Sequence, residues 1–207
     1  MTLPEKTIER LSGYRRILLD CLAKGKTHIY SHELAALNHI TAVQVRRDMM
    51  LMGFSSMQRK GYGVKELIDA IGVLIDTKKG LNIAVVGLGN LGRAVTTYFR
   101  GKRSKLNVVA IFDVDPEKIG RIVAGVKCYS DNDLPKLVKE MDISIVVLTV
   151  PPEQAVKSAE TLVACGIKGI LNLTTVPLNI PPNVFLEEHD MITSIEKVAY
   201  FVKNHQG

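Results

Sequence analysis

Apolar positions recur with a helical period over residues 9–23, where Leu11, Ile17, Leu18, Cys21 and Leu22 can share one side. Gly25 follows and ends that helix. A short second helix is predicted over residues 33–37, with Ser31 as its candidate N-cap, followed by the polar turn Asn38-His39. A third helix is predicted over residues 42–52, capped by Thr41 and closed by Gly53. In it, Ala42, Val45, Met49 and Met52 form one apolar face and leave Gln44, Arg46, Arg47 and Asp48 largely outside the stripe. The helical period then lapses over residues 54–63, which hold two glycines and the adjacent cations Arg59 and Lys60. It returns over residues 64–77 with Leu67, Ile68, Ile71, Leu74 and Ile75, and residues 76–80 read as a linker.

Beyond the linker the pattern changes character. Short apolar runs at residues 81–86, 107–112, 126–129, 143–150 and 169–173 alternate with helical stretches at 93–99, 133–140 and 153–165. Such βα repetition predicts a doubly wound parallel sheet of Rossmann type. A last helix, residues 190–204, repeats Met191, Ile195, Val198 and Val202, with Ile192, Ala199, Tyr200 and Phe201 beside them. That is more apolar surface than a lone terminal helix can leave in water, so it needs a groove in its own chain or in a partner. The expected fold class is therefore α/β with a small α+β domain in front: a winged helix-turn-helix over residues 1–78, a nucleotide-binding Rossmann domain over 79–189, and a terminal helix over 190–207.

Charge separates the same segments. Residues 1–80 carry 13 Lys and Arg against 8 Asp and Glu, whereas residues 81–207 carry 14 against 13. Nearly all of the chain's net +6 thus sits in the first segment, as expected where that segment meets a polyanion. In a helix-turn-helix, outward Arg46 and Arg47 can grip phosphates or the O6 and N7 of guanine, and Gln44 can pair with adenine. Ser31 at the head of the second helix, and Arg59, Lys60 and Tyr62 in a hairpin wing, complete the candidate DNA-binding set. A plain helical bundle with solvated charges fits the same pattern.

Three scattered cysteines, Cys21, Cys128 and Cys165, make neither a disulfide framework nor a metal site. No metal is expected. No apolar run nears the 18 residues of a membrane helix, and the first residues lack a secretory pattern. A cytoplasmic protein without a membrane partner is the expectation.

The chemistry concentrates in Gly87-Leu88-Gly89-Asn90-Leu91-Gly92, which lies between a strand and a helix and is followed by an acid, Asp113, at the end of the next strand. That context makes the glycine motif specific for a dinucleotide. Gly87 permits the turn, Gly89 lets the backbone approach a pyrophosphate, and Gly92 lets the helix pack closely. Asp113 would accept from the adenosine ribose hydroxyls and repel a 2′-phosphate, which favours NAD(H). Thr149, Val150 and Pro151, and Asn172 one unit later, end strands at the edge where open α/β sheets bind ligands.

Together these segments resemble the Rex family of redox-sensing repressors over essentially the whole length. The likeness is carried by Gln44-Val45-Arg46-Arg47-Asp48, Lys60-Gly61-Tyr62-Gly63, the residues 86–94, the residues 112–120, Thr149-Val150-Pro151, Gly169-Ile170-Leu171-Asn172 and the segment near Asp190. The resemblance implies a homodimer that binds a palindromic double-stranded operator, senses the NADH/NAD+ ratio, releases DNA on binding NADH, and swaps its C-terminal helix between subunits. It also implies a switch in which Asp190 pairs with Tyr98 in one state and Arg16 in the other. The chain departs from the family pattern at Ser55-Ser56-Met57-Gln58 and at Leu173-Thr174-Thr175, which suggests a divergent paralogue with altered specificity. Two other functions use the same Rossmann unit. An NAD-dependent oxidoreductase would need a substrate domain and a proton donor, yet none of His28, His32, His39, His189 and His205 follows the sheet strands in that way. A coenzyme A or other nucleotide-binding regulator would use the same glycine turn. No catalytic residue is expected.

Overall fold

The computed structural model describes residues 3–55, 61–99 and 105–204. The chain divides into two compact units, Met1–Lys78 and Lys79–Gly207.

In the first unit α1 (Glu5–Ala23), α2 (Ser31–Leu37), α3 (Ala42–Leu51) and α4 (Val64–Ile75) enclose one core. Leu11, Tyr14, Leu18, Ile29, Leu34, Val45, Met49, Leu67 and Ile71 are buried in it. Helix α1 starts four residues before the predicted point. Its first turn is polar and shows no apolar period, but Pro4 carbonyl accepts from Thr7 and Ile8, and Glu5 suits the positive end of the helix. Ser31 is the first residue of α2 rather than its N-cap. Tyr30 holds the cap position, and its N–H donates to the Glu33 carboxylate at 2.7 Å. Thr41 caps α3 as expected, accepting from the Gln44 N–H at 3.1 Å.

A two-stranded antiparallel ribbon, β1 (His28–Ile29) with β2 (Tyr62–Gly63), joins the turn after α1 to the end of the wing segment. Gly61 has φ +88°, and a Cβ there would stand 2.7 Å from the Ile29 carbonyl oxygen, so only glycine lets β2 lie this close to β1.

The second unit is a seven-stranded sheet of order β5-β6-β4-β3-β7-β8-β9. Its strands are β3 (Leu81–Val86), β4 (Leu106–Asp113), β5 (Ile122–Val123), β6 (Val126–Ser130), β7 (Ile143–Leu148), β8 (Gly169–Asn172) and β9 (Phe185–Glu188). All neighbours are parallel except the short hairpin β5–β6. Along β3 the side chains alternate between two cores. Ala84 and Val86 join Phe112, Val146 and Leu148 under α6 (Leu134–Glu140) and α7 (Pro152–Ala164). Ile83 and Val85 join Ile111, Cys128 and Val147, with Val95 of α5 (Asn90–Phe99) packed against them. Burial on both faces explains why these strands read as unbroken apolar runs. The strand order reverses beside β3, which places a ligand crevice at its carboxyl end.

The last helix, α8 (Met191–Asn204), buries no residue in the single chain, and Ile195, Val198, Tyr200 and Phe201 are all more than half exposed. Among the described residues no helix is long and apolar enough to cross a membrane.

Candidate cofactor cleft and nucleic-acid face

A cleft of about 390 Å³ opens at the carboxyl ends of β3, β4, β6 and β7. It brings together Gly87, Gly89, Asn90, Leu91, Asp113, Thr149, Val150 and Pro151 of the predicted cofactor set. The glycines divide the work. Gly87 has φ +97°, and a Cβ there would meet the Thr149 carbonyl oxygen at 2.8 Å. A Cβ on Gly92 would overlap the Gly87 carbonyl oxygen and lie 2.9 Å from Thr149 Oγ1. Gly89 differs: a Cβ there meets nothing within 4 Å. Two glycines thus serve the chain's own packing, while the third leaves bare backbone facing open space. Thr149 seals the turn from the other side, its hydroxyl bonded to the carbonyls of Val86 at 3.0 Å and Gly87 at 2.8 Å. Helix α5 begins at Asn90, inside the motif and three residues before the predicted start. The N–H groups of its first turn, which have no helical partner, therefore stand in the cleft wall.

Asp113 ends β4 and is only 7% exposed. The Leu88 N–H donates to its Oδ2 at 2.6 Å, the Asp115 N–H to its Oδ1 at 2.9 Å, and Lys118 Nζ stands 3.2 Å away. Burial opposes its charge, but these N–H donors and the ammonium outweigh burial and hold the carboxyl below the usual carboxylate range.

Three expected members do not line the cleft. The Leu88 side chain is fully buried in the core beneath, and only its backbone N–H serves the site, through Asp113. Gly92 supports the turn from behind. Asn172 is buried and its groups are committed within the chain: Nδ2 donates to the Val176 carbonyl at 2.8 Å and to Glu188 of β9 at 3.3 Å, and Oδ1 accepts from the Thr174 N–H and hydroxyl at 3.0 and 2.8 Å. It shapes the turn after β8. Conversely the cleft includes Lys118, Asp131, Gln154 and Ser158, which sequence reasoning did not select. The signal for Asp131 was present, because it follows the carboxyl end of a predicted strand, the same edge of the sheet at which Thr149 lies.

In the first unit α3 presents Val43, Arg46, Arg47 and Met50 to solvent. Arg46 Nη1 reaches the Ser31 hydroxyl at 3.3 Å, which ties the outer face of α3 to the head of α2. Asp48 corrects the expectation. It is fully buried and receives a fork from Arg10 of α1, with Nε and Nη2 each 2.7 Å from a carboxylate oxygen. The Tyr14 hydroxyl donates to it at 2.7 Å and Gln44 Nε2 at 2.9 Å. Burial disfavours the Asp48 charge, but Arg10, Tyr14 and Gln44 together pull its pKa below the ordinary value. The same surroundings push the Tyr14 phenol upward, through burial first and the neighbouring carboxylate second. Gln44 is thus held from beneath by one amide proton and keeps its oxygen and second proton for a ligand. Tyr62 is half-buried, its ring 6.1 Å from that of Phe54 and packed against the core. Arg59 and Lys60 lie outside the described residues.

Residues 2–49 match the family model described as "Putative DNA-binding protein N-terminus", and residues 77–176 match the one described as "CoA binding domain". The redox-sensing transcriptional repressor Rex of Listeria welshimeri is 32% identical over 203 residues, covering 98% of this chain and 94% of that protein. The chain belongs to the Rex family. A crystal structure of RSP with β-NAD+ and operator DNA is similar to this Rex-family chain at a TM-score of 0.91 and 30% identity, covering 100% of this chain and 95% of that one. RSP with β-NADH is similar at 0.87 and 29%, covering 100% and 97%. Family membership makes the chain a redox-sensing transcriptional repressor and not a dehydrogenase, although its second unit has a dehydrogenase's sheet.

Of the three residues that the resemblance leads one to expect in a switch, Arg16 is exposed on α1 and Tyr98 is 61% exposed on α5. Asp190 caps α8, accepting from the Ile192 N–H at 2.9 Å and the Thr193 hydroxyl at 2.7 Å. Those bonds keep its carboxyl below the usual range.

Proposed function

We propose that this chain represses transcription by binding a palindromic operator as a homodimer in the cytoplasm, and that NADH entering the cleft releases the DNA. The identity to Rex repressors runs through both units, and it supports reading the glycine turn and the α2–α3 face as parts of one device. Gly89 and the first turn of α5 take the pyrophosphate, Asp113 the adenosine ribose, and Thr149, Val150 and Pro151 the nicotinamide end. NAD(H) supplies no reaction here; its redox state is the signal. A buried, charged Asp113 beside the ribose position favours NADH over its 2′-phosphorylated form by like-charge repulsion. Arg46 and Arg47, with Ser31, Arg59, Lys60 and Tyr62, hold the duplex, and Gln44 reads a base. The second copy is the occupant that α8 requires, since its apolar residues find no cover among the described residues of their own chain. Asp190, at the root of that helix, then exchanges partners between Tyr98 and Arg16 as the two arrangements interconvert.

The test is to select duplex DNA from a random pool with the full chain, then titrate the bound complex with NADH, NAD+ and coenzyme A. Release by NADH, with little by the other two, is expected. Release by coenzyme A alone would transfer the site to a different nucleotide, and recovery of no duplex at all would remove the DNA reading.

A further inference from the structure

One polar atom in the cleft has no use among the described residues. Oδ1 of Asp131 is sealed from solvent and has no hydrogen-bond partner, although its residue lines the same cleft as Asp113. A buried acceptor without a donor is costly, and native chains rarely leave one unless something else supplies the donor. The position is fixed by the fold. Asp113 pairs in register with Ser130, the last residue of β6, so Asp131 stands just past the end of the neighbouring strand. The Ser130 hydroxyl accepts from the Asn132 N–H at 3.3 Å and caps the short 3₁₀ turn Asp131–Asp133, which sets the backbone there.

This geometry orders the cleft along the ligand. The pyrophosphate is placed at the head of α5 and the ribose diol at Asp113. The base leaves the ribose on the side opposite the phosphate, and in the sheet β6, which Asp131 follows, lies on the far side of β4 from the glycine turn. We infer that Asp131 is the residue that selects the base, a turn about its χ2 presenting the unpartnered carboxylate oxygen to the exocyclic 6-amino group of adenine. This inference rests on the cofactor reading above and names the specificity of that same site. Burial and the charge of Asp113 both push the Asp131 carboxyl up, against a smaller opposing pull from Lys157, so an amino donor relieves an existing strain. Held ionised by that donor, the carboxylate is acceptor-only. It welcomes the amino group of adenine and repels the 6-oxo group of hypoxanthine.

The experiment titrates the full chain with NADH and with reduced nicotinamide hypoxanthine dinucleotide, following dihydronicotinamide fluorescence. The unaltered chain is expected to bind the hypoxanthine form at least about tenfold more weakly, the scale of one hydrogen bond to a charged group. Asp131→Ala loses affinity for NADH and brings the two within about threefold, because the discriminating acceptor is gone. Asp131→Asn keeps NADH affinity but loses the preference, since its amide can turn to offer either an acceptor or a donor. Thermal unfolding without ligand distinguishes a structural role: removing an unpartnered buried carboxylate leaves the melting temperature unchanged or raised. Equal binding of the two dinucleotides by the unaltered chain, or an unchanged preference in both variants, overturns the inference while leaving the cofactor reading intact. Failure of the unaltered chain to bind NADH at all removes both.

Discussion

Two glycines three residues apart make opposite predictions when each is changed to alanine. At Gly92 the new methyl group overlaps the Gly87 carbonyl oxygen and crowds Thr149 Oγ1 at 2.9 Å. Neither can retreat easily, because Gly87 is held by its N–H on the Phe112 carbonyl at 2.8 Å and Thr149 by its N–H on the Val86 carbonyl at 2.8 Å. Overpacking of this kind costs about 3 kcal/mol at a rigid site, and the helix preference of alanine returns somewhat under 1 kcal/mol. The net loss is about 2 kcal/mol, which lowers the melting temperature of the second unit by roughly 5–10 °C. At Gly89 the methyl group meets nothing within 4 Å. The backbone there is not left-handed, so alanine adopts it, and stability stays within about 0.5 kcal/mol. The methyl group does stand where the backbone must approach a pyrophosphate. Losing one hydrogen bond to a charged oxygen weakens NADH by about 1.5–3 kcal/mol, or roughly 10- to 150-fold. Thermal denaturation and NADH titration of both variants separate the effects: Gly92→Ala is unstable, while Gly89→Ala is stable but blind to the cofactor and still binds DNA. Wild-type NADH affinity in Gly89→Ala would refute the placement of the pyrophosphate. Wild-type melting of Gly92→Ala would refute the packing role.

Asp113→Ala should weaken NADH by about 1–3 kcal/mol and narrow its advantage over NADPH; parallel titrations check this, and an unchanged ratio would count against Asp113 as the discriminator. Replacing both Arg46 and Arg47 by Ala should weaken binding to all duplexes and lower the salt slope by about 1 for each phosphate no longer neutralised, read from binding isotherms at several salt concentrations. Asp48→Asn breaks the buried Arg10 pair and should cost about 2–4 kcal/mol at neutral pH. Because the folded pKa of Asp48 is depressed, its contribution is fully present above the ordinary carboxylate value and is lost as pH falls through the folded value, so melts from pH 7 to pH 3 should converge for variant and wild type. Asp190→Ala removes a cap from α8 and, by the switch proposed above, should leave NADH binding while shrinking its effect on DNA; undiminished release would exclude Asp190 from the coupling.

The second unit was legible because its strands are buried on both faces and its helices on one, so the period of the pattern changes at nearly every boundary. What escaped were elements too short or too exposed to carry a period. The two-residue strands β1 and β5 have none, and β9 is an edge strand, Phe185-Leu186-Glu187-Glu188, with no buried residue. Helix α5 starts ahead of its own apolar pattern, because Asn90-Leu91-Gly92 carries the signature of a glycine turn while its backbone already forms the helix N-terminus in the cleft wall.

The site residues show a different obstacle. Asp48 follows Val45 by three and precedes Met52 by four, which puts it at the edge of the apolar stripe, and its charge argues it outward. Its partners Arg10 and Tyr14 sit on another helix, 38 and 34 residues away, and nothing local announces them. Asn172, Asp113 and Asp131 pose the same problem at the carboxyl ends of three parallel strands. All are polar residues where a ligand is expected. What separates them is how many of their hydrogen-bonding atoms the chain itself satisfies. Asn172 spends its Oδ1 on the loop that follows it and its Nδ2 on that loop and on Glu188 of β9. Asp113 is braced by donors that hold it charged, and Asp131 keeps one sealed oxygen unspent. A sequence reports which residues carry polar atoms, but only the folded chain reports which of those atoms are already taken. At Asp131 the atom left over is where a ligand's own donor can arrive.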